Sequence, residues 1–574
     1  MIMPEYFSPG VYVEEFDSGP NPMQGVSTST AGFVGVAEKG PVIGAPILVT
    51  SPSDFTRKFG GYLQTSEFGE HRYLPHAVNH FFINGGSRAF IMRVVPPDSA
   101  VAQAKTLEGQ DGITIKARNP GVWGNSIVVK FEPFYESKSQ ILADEGENKY
   151  KLKSGVGFDA GDVVILEGAG EPQYNTVVKT VGNMVTFAQA FTGEVVDENL
   201  LPKITVKTCE MTVTVECEAA NEKYENVSFN IAAPSYIDKK LVKSEFVSLY
   251  SKPPEGTVLP LDYVKKVFGG DGNTLKVTLT GGLNGTAASL TDAEFIGKDD
   301  GPGSRTGIQA FLDNTDVNIM AVPGNVSPNV QLSLVAQCEK LGSRFAVLDI
   351  PKTSKSVTDI MQHREIVDSD YCAMYHPWIQ VYDPLDKKDA FIPPSGSMIG
   401  IYARSDTARG VHKAPANEVV TNCTGLVVNY NVGEQDLLNP KGVNLIRRFP
   451  GAGIRVWGAR TASSKPLWKY INVRRLFIYL EESIRANTNW VVFEPNDQVL
   501  WDRVRRTIDI FLEGVWRGGA LVGGSPSDAY FIDIGPNTMS KDDIDNGRLI
   551  CVIGVAPVKP AEFVIFRITQ KTGE

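Results

Sequence analysis

The chain has 574 residues, 42% of them hydrophobic and 21% charged, and its formal net charge is -10. That composition fills several packed cores, at roughly 100–200 residues per domain, and excludes intrinsic disorder. The acidic balance argues against a protein that coats nucleic acid, and no apolar run reaches the length of a bilayer-spanning helix, so neither nucleic-acid binding nor direct membrane insertion is expected.

In chain order, the first element is a short strand pattern, Ser8-Pro-Gly-Val-Tyr-Val-Glu-Glu-Phe16. Residues 17–30 follow without an apolar period and read as an extended arm. Ala31–Ala37 is a glycine-spaced buried strand. Ser51 is a helix N-cap, with Pro52 in the first turn and Gly60 as the stop. A second helix is predicted over 74–84 and a strand over 89–95, halted by Pro96-Pro97. From 101 to about 270 short alternating strands recur between glycine and aspartate turns, which predicts β-rich lobes, with a self-contained β-domain beginning near Gly155. Residues 316–383 alternate strand and helix, the order of a parallel sheet with covering helices. In the C-terminal third, one helix follows Pro466 and a second spans about 496–514. Leu500, Trp501, Val504, Ile508, Phe511, Leu512 and Val515 lie on one arc of the second, and charged residues on the other. Two terminal strands are expected, at 549–557 and 561–568.

Candidate chemistry is sparse. Asp349 ends a strand, His363 and His376 follow, and Ser397 comes next, the chain order of the subtilisin triad. A serine hydrolase using Ser397 is therefore the enzymatic alternative. His363 lies mid-helix, however, and His376 precedes Pro377, so two ordinary histidines and a turn serine account for the same residues. His71, His76 and His80 cluster without a metal-site spacing or a nearby cysteine. The glycine-rich runs 301–307 and 514–524 lack the features of phosphate loops and read as turns. No metal, cofactor or catalytic residue is expected. The six cysteines form no C-x-x-C pair and read as free thiols from a reducing compartment. The opening residues lack the basic and apolar regions of a signal peptide, so synthesis in the cytoplasm is expected. A basic run (Arg447, Arg448, Arg455, Arg460, Lys469, Arg474, Arg475) is interspersed with acids further on and fits a protein interface facing an acidic partner better than a nucleic-acid patch.

The ends carry more information. Phe563-Val-Ile-Phe-Arg-Ile568 is apolar at nearly every position and is set off by Pro557 and Pro560. The strand around Val11, Tyr12, Val13 and Glu14 is set off by its own Pro/Gly arm. Two tethered strands suit exchange between copies by β-augmentation, and pairing of each within its own chain fits equally well.

Several runs resemble the contractile tail sheath family: Ser8-Pro-Gly-Val-Tyr-Val-Glu-Glu15, Thr28-Ser-Thr-Ala-Gly-Phe-Val-Gly35, Ala117-Arg-Asn-Pro-Gly-Val-Trp-Gly-Asn125, Leu279-Thr-Gly-Gly-Leu-Asn-Gly285, Tyr470-Ile-Asn-Val-Arg-Arg475, Trp490-Val-Val-Phe-Glu-Pro-Asn496 and Gly514-Val-Trp-Arg-Gly-Gly-Ala520. The resemblance covers about 1–130 and 275–570. It implies an α/β and β multidomain protein whose middle domain has subtilisin-like topology without catalysis. On that reading, 1–30 is an N-terminal arm, 31–100 the N-terminal α/β part of the core, 101–275 inserted β-rich outer lobes, 276–435 the α/β sheath domain, 436–557 a tube-facing α+β domain, and 558–574 a C-terminal arm. It implies a helical homo-oligomer around an inner tail tube, ending at baseplate and terminator or collar proteins. The particle is assembled in a bacterial cytoplasm, as a virion tail, a tailocin or an extracellular injection system. Val11, Tyr12, Val13, Glu14, Phe563, Val564, Ile565 and Phe566 are the expected exchanged strands. Arg503, Arg506, Glu513 and Arg517 are the expected tube-facing residues.

Overall fold

The computed structural model describes residues 23–168, 171–192, 204–218 and 220–565. Its main body is one sheet built from two separate stretches of the sequence, 31–94 and 319–456. The strands are β1 (Ala31–Val36), β2 (Ile47–Val49), β3 (Ala89–Val94), β4 (Ile319–Ala321), β5 (Phe345–Asp349), β6 (Cys372–His376), β7 (Val443–Phe449) and β8 (Gly453–Val456), in the order β2-β3-β1-β4-β5-β6-β7-β8. Strands β3 through β7 are parallel, and β2 and β8 close the edges antiparallel. Every residue of β1 is buried, as a parallel sheet covered on both faces requires. Helices α1 (Leu74–Ile83) and α3 (Ser395–Arg409) cover one face and α2 (Pro328–Leu341) the other. Gly396 and Gly400 let α3 lie directly on α1: a Cβ at these positions would stand 2.3 Å from Ala77 O and 2.5 Å from Phe81 O.

Two expectations change at this sheet. The boundary placed at 436 falls inside it, because β7 and β8 pair onto β6 and onto each other. The alternating stretch 316–383 ends in two strands where one completes the expected order, β6 and Ile379–Asp383, separated at Pro377, which has no N–H to give a ladder.

The segment between β3 and β4 forms the inserted lobes. A seven-stranded antiparallel sheet runs from Gln103–Ala104 to Leu275–Thr280. Between its neighbouring strands Val128–Phe134 and Glu210–Cys217 the chain leaves to make a closed six-stranded barrel filled by Tyr150, Phe158, Phe187 and Phe191. The barrel begins at Lys138–Asp144, earlier than the expected start near Gly155.

Beyond residue 462 the C-terminal domain is built on α4 (Ile471–Asn487), α5 (Gln498–Arg517) and a hairpin of β9 (Tyr530–Ile534) and β10 (Cys551–Val555). Asp497 caps α5 by accepting from Leu500 N at 2.9 Å. The stripe of Leu500, Trp501, Val504, Ile508, Phe511 and Leu512 is buried as the 3.6-residue period demands.

Candidate assembly surfaces

The first and last described segments are each held by a built anchor point. On the N-terminal side, Met23 is buried in the C-terminal domain's core. Gln24 exchanges hydrogen bonds with the Asn487 side chain, and Val26 N donates to Ser483 Oγ at 3.1 Å. Thr28 Oγ1 donates to Asp406 Oδ2 at 2.7 Å. Arg475 then ties the two chains of contact together. Its guanidinium donates to both Asp406 oxygens, at 2.9 and 2.6 Å, and to Thr28 O at 2.9 Å, and it lies over the Tyr402 ring. Burial alone would lower the pKa of Arg475, but the Asp406 charge and hydrogen bonds outweigh it and hold the group above its ordinary value. Residues Val11, Tyr12, Val13 and Glu14 lie outside the described residues.

On the C-terminal side the anchor is Glu562. Its carboxylate accepts from Arg460 Nε at 2.8 Å and Nη2 at 2.6 Å, from Asn439 Nδ2 at 2.7 Å and from Tyr470 OH at 3.1 Å. Burial pushes this acid up, while the bonds from Arg460 and Asn439, the Arg460 charge and the Tyr470 hydroxyl pull it down further, so it sits below the usual glutamate value. Immediately past this clamp Phe563, Val564 and Ile565 are exposed by 73, 68 and 79%. They belong to no strand of the described residues, so the strand expected over 561–568 is not formed within the described part of its own chain. Phe566 lies outside the described residues. Close by, β9 and β10 make a two-stranded sheet that exposes Phe531 and Val552.

Three members of the basic run of 447–475 are internal, while Arg448 stays exposed. Arg460 is spent on Glu562, Arg474 pairs with Asp370 and stacks on Trp468, and Arg475 is spent on Asp406. All three are buried. Neither an acidic partner nor a nucleic acid meets these three. Sequence reasoning missed them as internal anchors because their counter-ions are 69 to 104 residues away for Arg475 and Arg474 and 102 for Arg460, or carried on other elements.

On α5, Arg503, Arg506 and Arg517 lie on the solvent side, with Glu513 half-buried beside them. Arg517 pairs with Glu513 at 2.5 Å, one turn away. Arg503 lies over the Trp490 ring at 4.6 Å and stands 3.9 Å from Glu494. Arg506 sits beside Asp502 and Asp509.

The triad-like residues do not assemble. Asp349 accepts from Ser395 N, Ser395 Oγ and Gly324 N, and burial pushes it up to about 6. Ser397 Oγ meets His80 Nδ1 at 3.2 Å instead of His363 or His376. His363 pairs with Gln331 and His376 with Tyr430. Ser397 and His376 are fully buried, and burial holds His80, His363 and His376 at about 4. His76 faces Asp383 at 3.4 Å, so the two histidines on α1, His76 and His80, go to separate partners. Among the described residues no group of three or more His, Cys, Asp or Glu side chains is arranged to hold a metal.

Residues 300–462 match the phage tail sheath protein central domain, and residues 463–571 match the phage tail sheath C-terminal domain. The division at 462/463 falls where the main sheet ends. The chain is 26% identical over 305 residues to the tail sheath protein of Burkholderia phage BcepMu, covering 49% of this chain and 61% of that one, so it spans less than two thirds of that relative. It is 26% identical over 306 residues to the tail sheath protein of Escherichia phage P2, covering 51% and 74%. Its fold matches the sheath of an extracellular contractile injection system, the PVC sheath complex in its contracted state, with a TM-score of 0.52 and 20% identity over 99% of each chain. By these domains and relatives, the chain belongs to the phage tail sheath family.

Proposed function

We propose that this chain is the structural subunit of a contractile sheath. It polymerises as a helix around an inner tail tube through exchanged β-strand arms, and contraction drives the tube through a target cell envelope. The observation that carries this reading is the pair of anchored arm roots. Glu562 holds the chain firmly, and the next three apolar residues then stand in solvent. Burying each of those side chains in a neighbouring copy gains about 1.5–3 kcal/mol. The β9–β10 hairpin offers a fitting receptor, because a two-stranded sheet is marginal alone and gains from added strands. Anchored roots let the body turn while the exchanged strands stay paired, so motion passes from ring to ring.

Contraction needs no hydrolysed nucleotide on this account. The extended polymer is a metastable arrangement on tube and baseplate, and rotation of each ring into better subunit contacts releases the free energy. The chain acts without catalysis or cofactor, with a tube protein, baseplate proteins and a terminator or collar as partners, in a virion tail assembled in the host cytoplasm. Its tube-facing residues are Arg503, Arg506, Glu513 and Arg517 on the solvent side of α5. The middle domain has subtilisin-like topology. The order β2-β3-β1-β4-β5-β6-β7, with Asp349 ending β5 and Ser395 opening α3, supports this. A tailocin or extracellular injection system is the second reading, favoured by the full-length match to the PVC sheath.

Deletion of residues 1–20 tests the arm exchange. The truncated chain keeps its cooperative melt and forms no ordered sheath. Loss of the melt, or sheath formation equal to the full chain, overturns the reading.

A further inference from the structure

The turn between α4 and α5 presents an apolar knob. Phe493 has φ of +69° and is 102% exposed, and Val492 beside it is 63% exposed. A left-handed backbone is disfavoured for a bulky residue, and here no contact within the described chain repays it. The turn is nevertheless braced. Glu494 N donates to Val491 O, Asn496 Oδ1 accepts from Trp501 Nε1 at 2.7 Å, Asn496 Nδ2 donates to Arg548 O, and Arg503 lies over Trp490. The knob is therefore held in position.

The same chain carries a groove of about 520 Å³ between the N-terminal root, the end of α3 and the second half of α5. Val411, Leu476, Ile510, Phe511 and Val515 line it. At its rim Arg409 is exposed and, among the described residues, has no acidic partner. The knob carries the opposite charge: Glu494 follows Phe493, is 44% exposed, and among the described residues has only Arg503 as a basic partner, at 3.9 Å. Knob and groove lie toward opposite ends of α5, a 20-residue helix, roughly 20 Å apart at 1.5 Å per residue, so the knob does not reach its own groove. Two different, complementary patches on one chain are what a head-to-tail helical assembly uses.

Resting on the helical-assembly reading, we propose that Val492 and Phe493 of one copy insert into this groove of a second copy, with Glu494 of the first meeting Arg409 of the second. The test uses full-length protein, with polymer measured by pelleting and electron microscopy. Phe493→Gly relieves the backbone and removes the ring, so its melting midpoint is equal or higher while pelleted polymer falls at least tenfold. Glu494→Arg and Arg409→Glu each reduce polymer, and the double exchange restores it. Polymer from Phe493→Gly at the level of the unaltered chain, or a double exchange no better than the single ones, overturns the proposal. Polymer lost only when preformed tail tubes are present overturns it too, in favour of the tube as the knob's partner. If the unaltered chain forms no polymer, with or without tubes, the assembly reading itself fails and takes this one with it.

Discussion

Glu562→Ala separates the anchoring of the C-terminal arm from the stability of the domain. The substitution removes the acceptor of four hydrogen bonds and leaves the buried Arg460 guanidinium without a counter-ion. Breaking a buried pair costs 3–5 kcal/mol, and because the Glu562 side chain keeps 17% exposure the lower end, about 3 kcal/mol, applies. The loss is local, since among the described residues 557–565 have few other hydrogen bonds and bridges to the body: Val558 N to Ala520 O, Asn472 Nδ2 to Val558 O, and the Leu521–Pro557 bridge. At 1.4 kcal/mol per factor of ten, opening of 557–562 becomes roughly 150-fold more frequent. Hydrogen exchange read by mass spectrometry measures this directly, with the α5 peptides as internal reference. Glu562→Gln, which keeps the shape and loses the charge, falls between. Exchange of 557–562 within threefold of the unaltered chain would refute the anchor reasoning, as would an equal rise throughout α5.

Three further outcomes follow from the geometry. Burial holds His76, His80, His363 and His376 at about 4, below the ordinary value of 6.5. A base whose folded pKa is depressed contributes stability that is full above 6.5 and lost as pH falls from 6.5 toward 4, so the calorimetric melting midpoint drops across that window; a flat midpoint contradicts the buried, neutral assignment. Ser397→Ala leaves assembly unchanged, and a serine-directed reagent does not label the folded chain at position 397, because the hydroxyl is buried against His80; labelling there revives the hydrolase alternative. Arg503→Glu with Arg506→Glu leaves the melt intact, since both side chains are exposed, and abolishes sheath assembly on purified tubes; assembly at the usual level removes them from the tube-facing set.

Local signals in the sequence carried much of the fold. The apolar stripe of α5, the Ser51–Pro52 helix start and the β-α-β-α-β order of 316–383 are readable because each is set by neighbours within a turn or two. Gly342 ends α2 in the left-handed conformation that glycine favours at a helix stop, with φ of +68°. What was not legible depends on distant partners. Nothing local in Tyr470–Arg475 announces that Arg474 and Arg475 point inward, because Asp370 and Asp406 come from other elements. Strands β7 and β8 read as the start of a new domain until their pairing partner β6 is known. Lys138–Asp144 alternates exposed and buried residues only because the barrel closes on one side of it. The exposure of Phe493 was invisible for the opposite reason: an aromatic residue between valines and a proline suggests a core position, and only the backbone shows it turned to solvent.

The central claim is self-assembly into a contractile sheath, and negative-stain electron microscopy of the concentrated, purified chain tests it most directly, first alone and then with purified tail tubes and baseplates. The account predicts striated hollow tubes in one or both conditions, absent for the chain lacking residues 1–20. Monodisperse single copies in both conditions would contradict it.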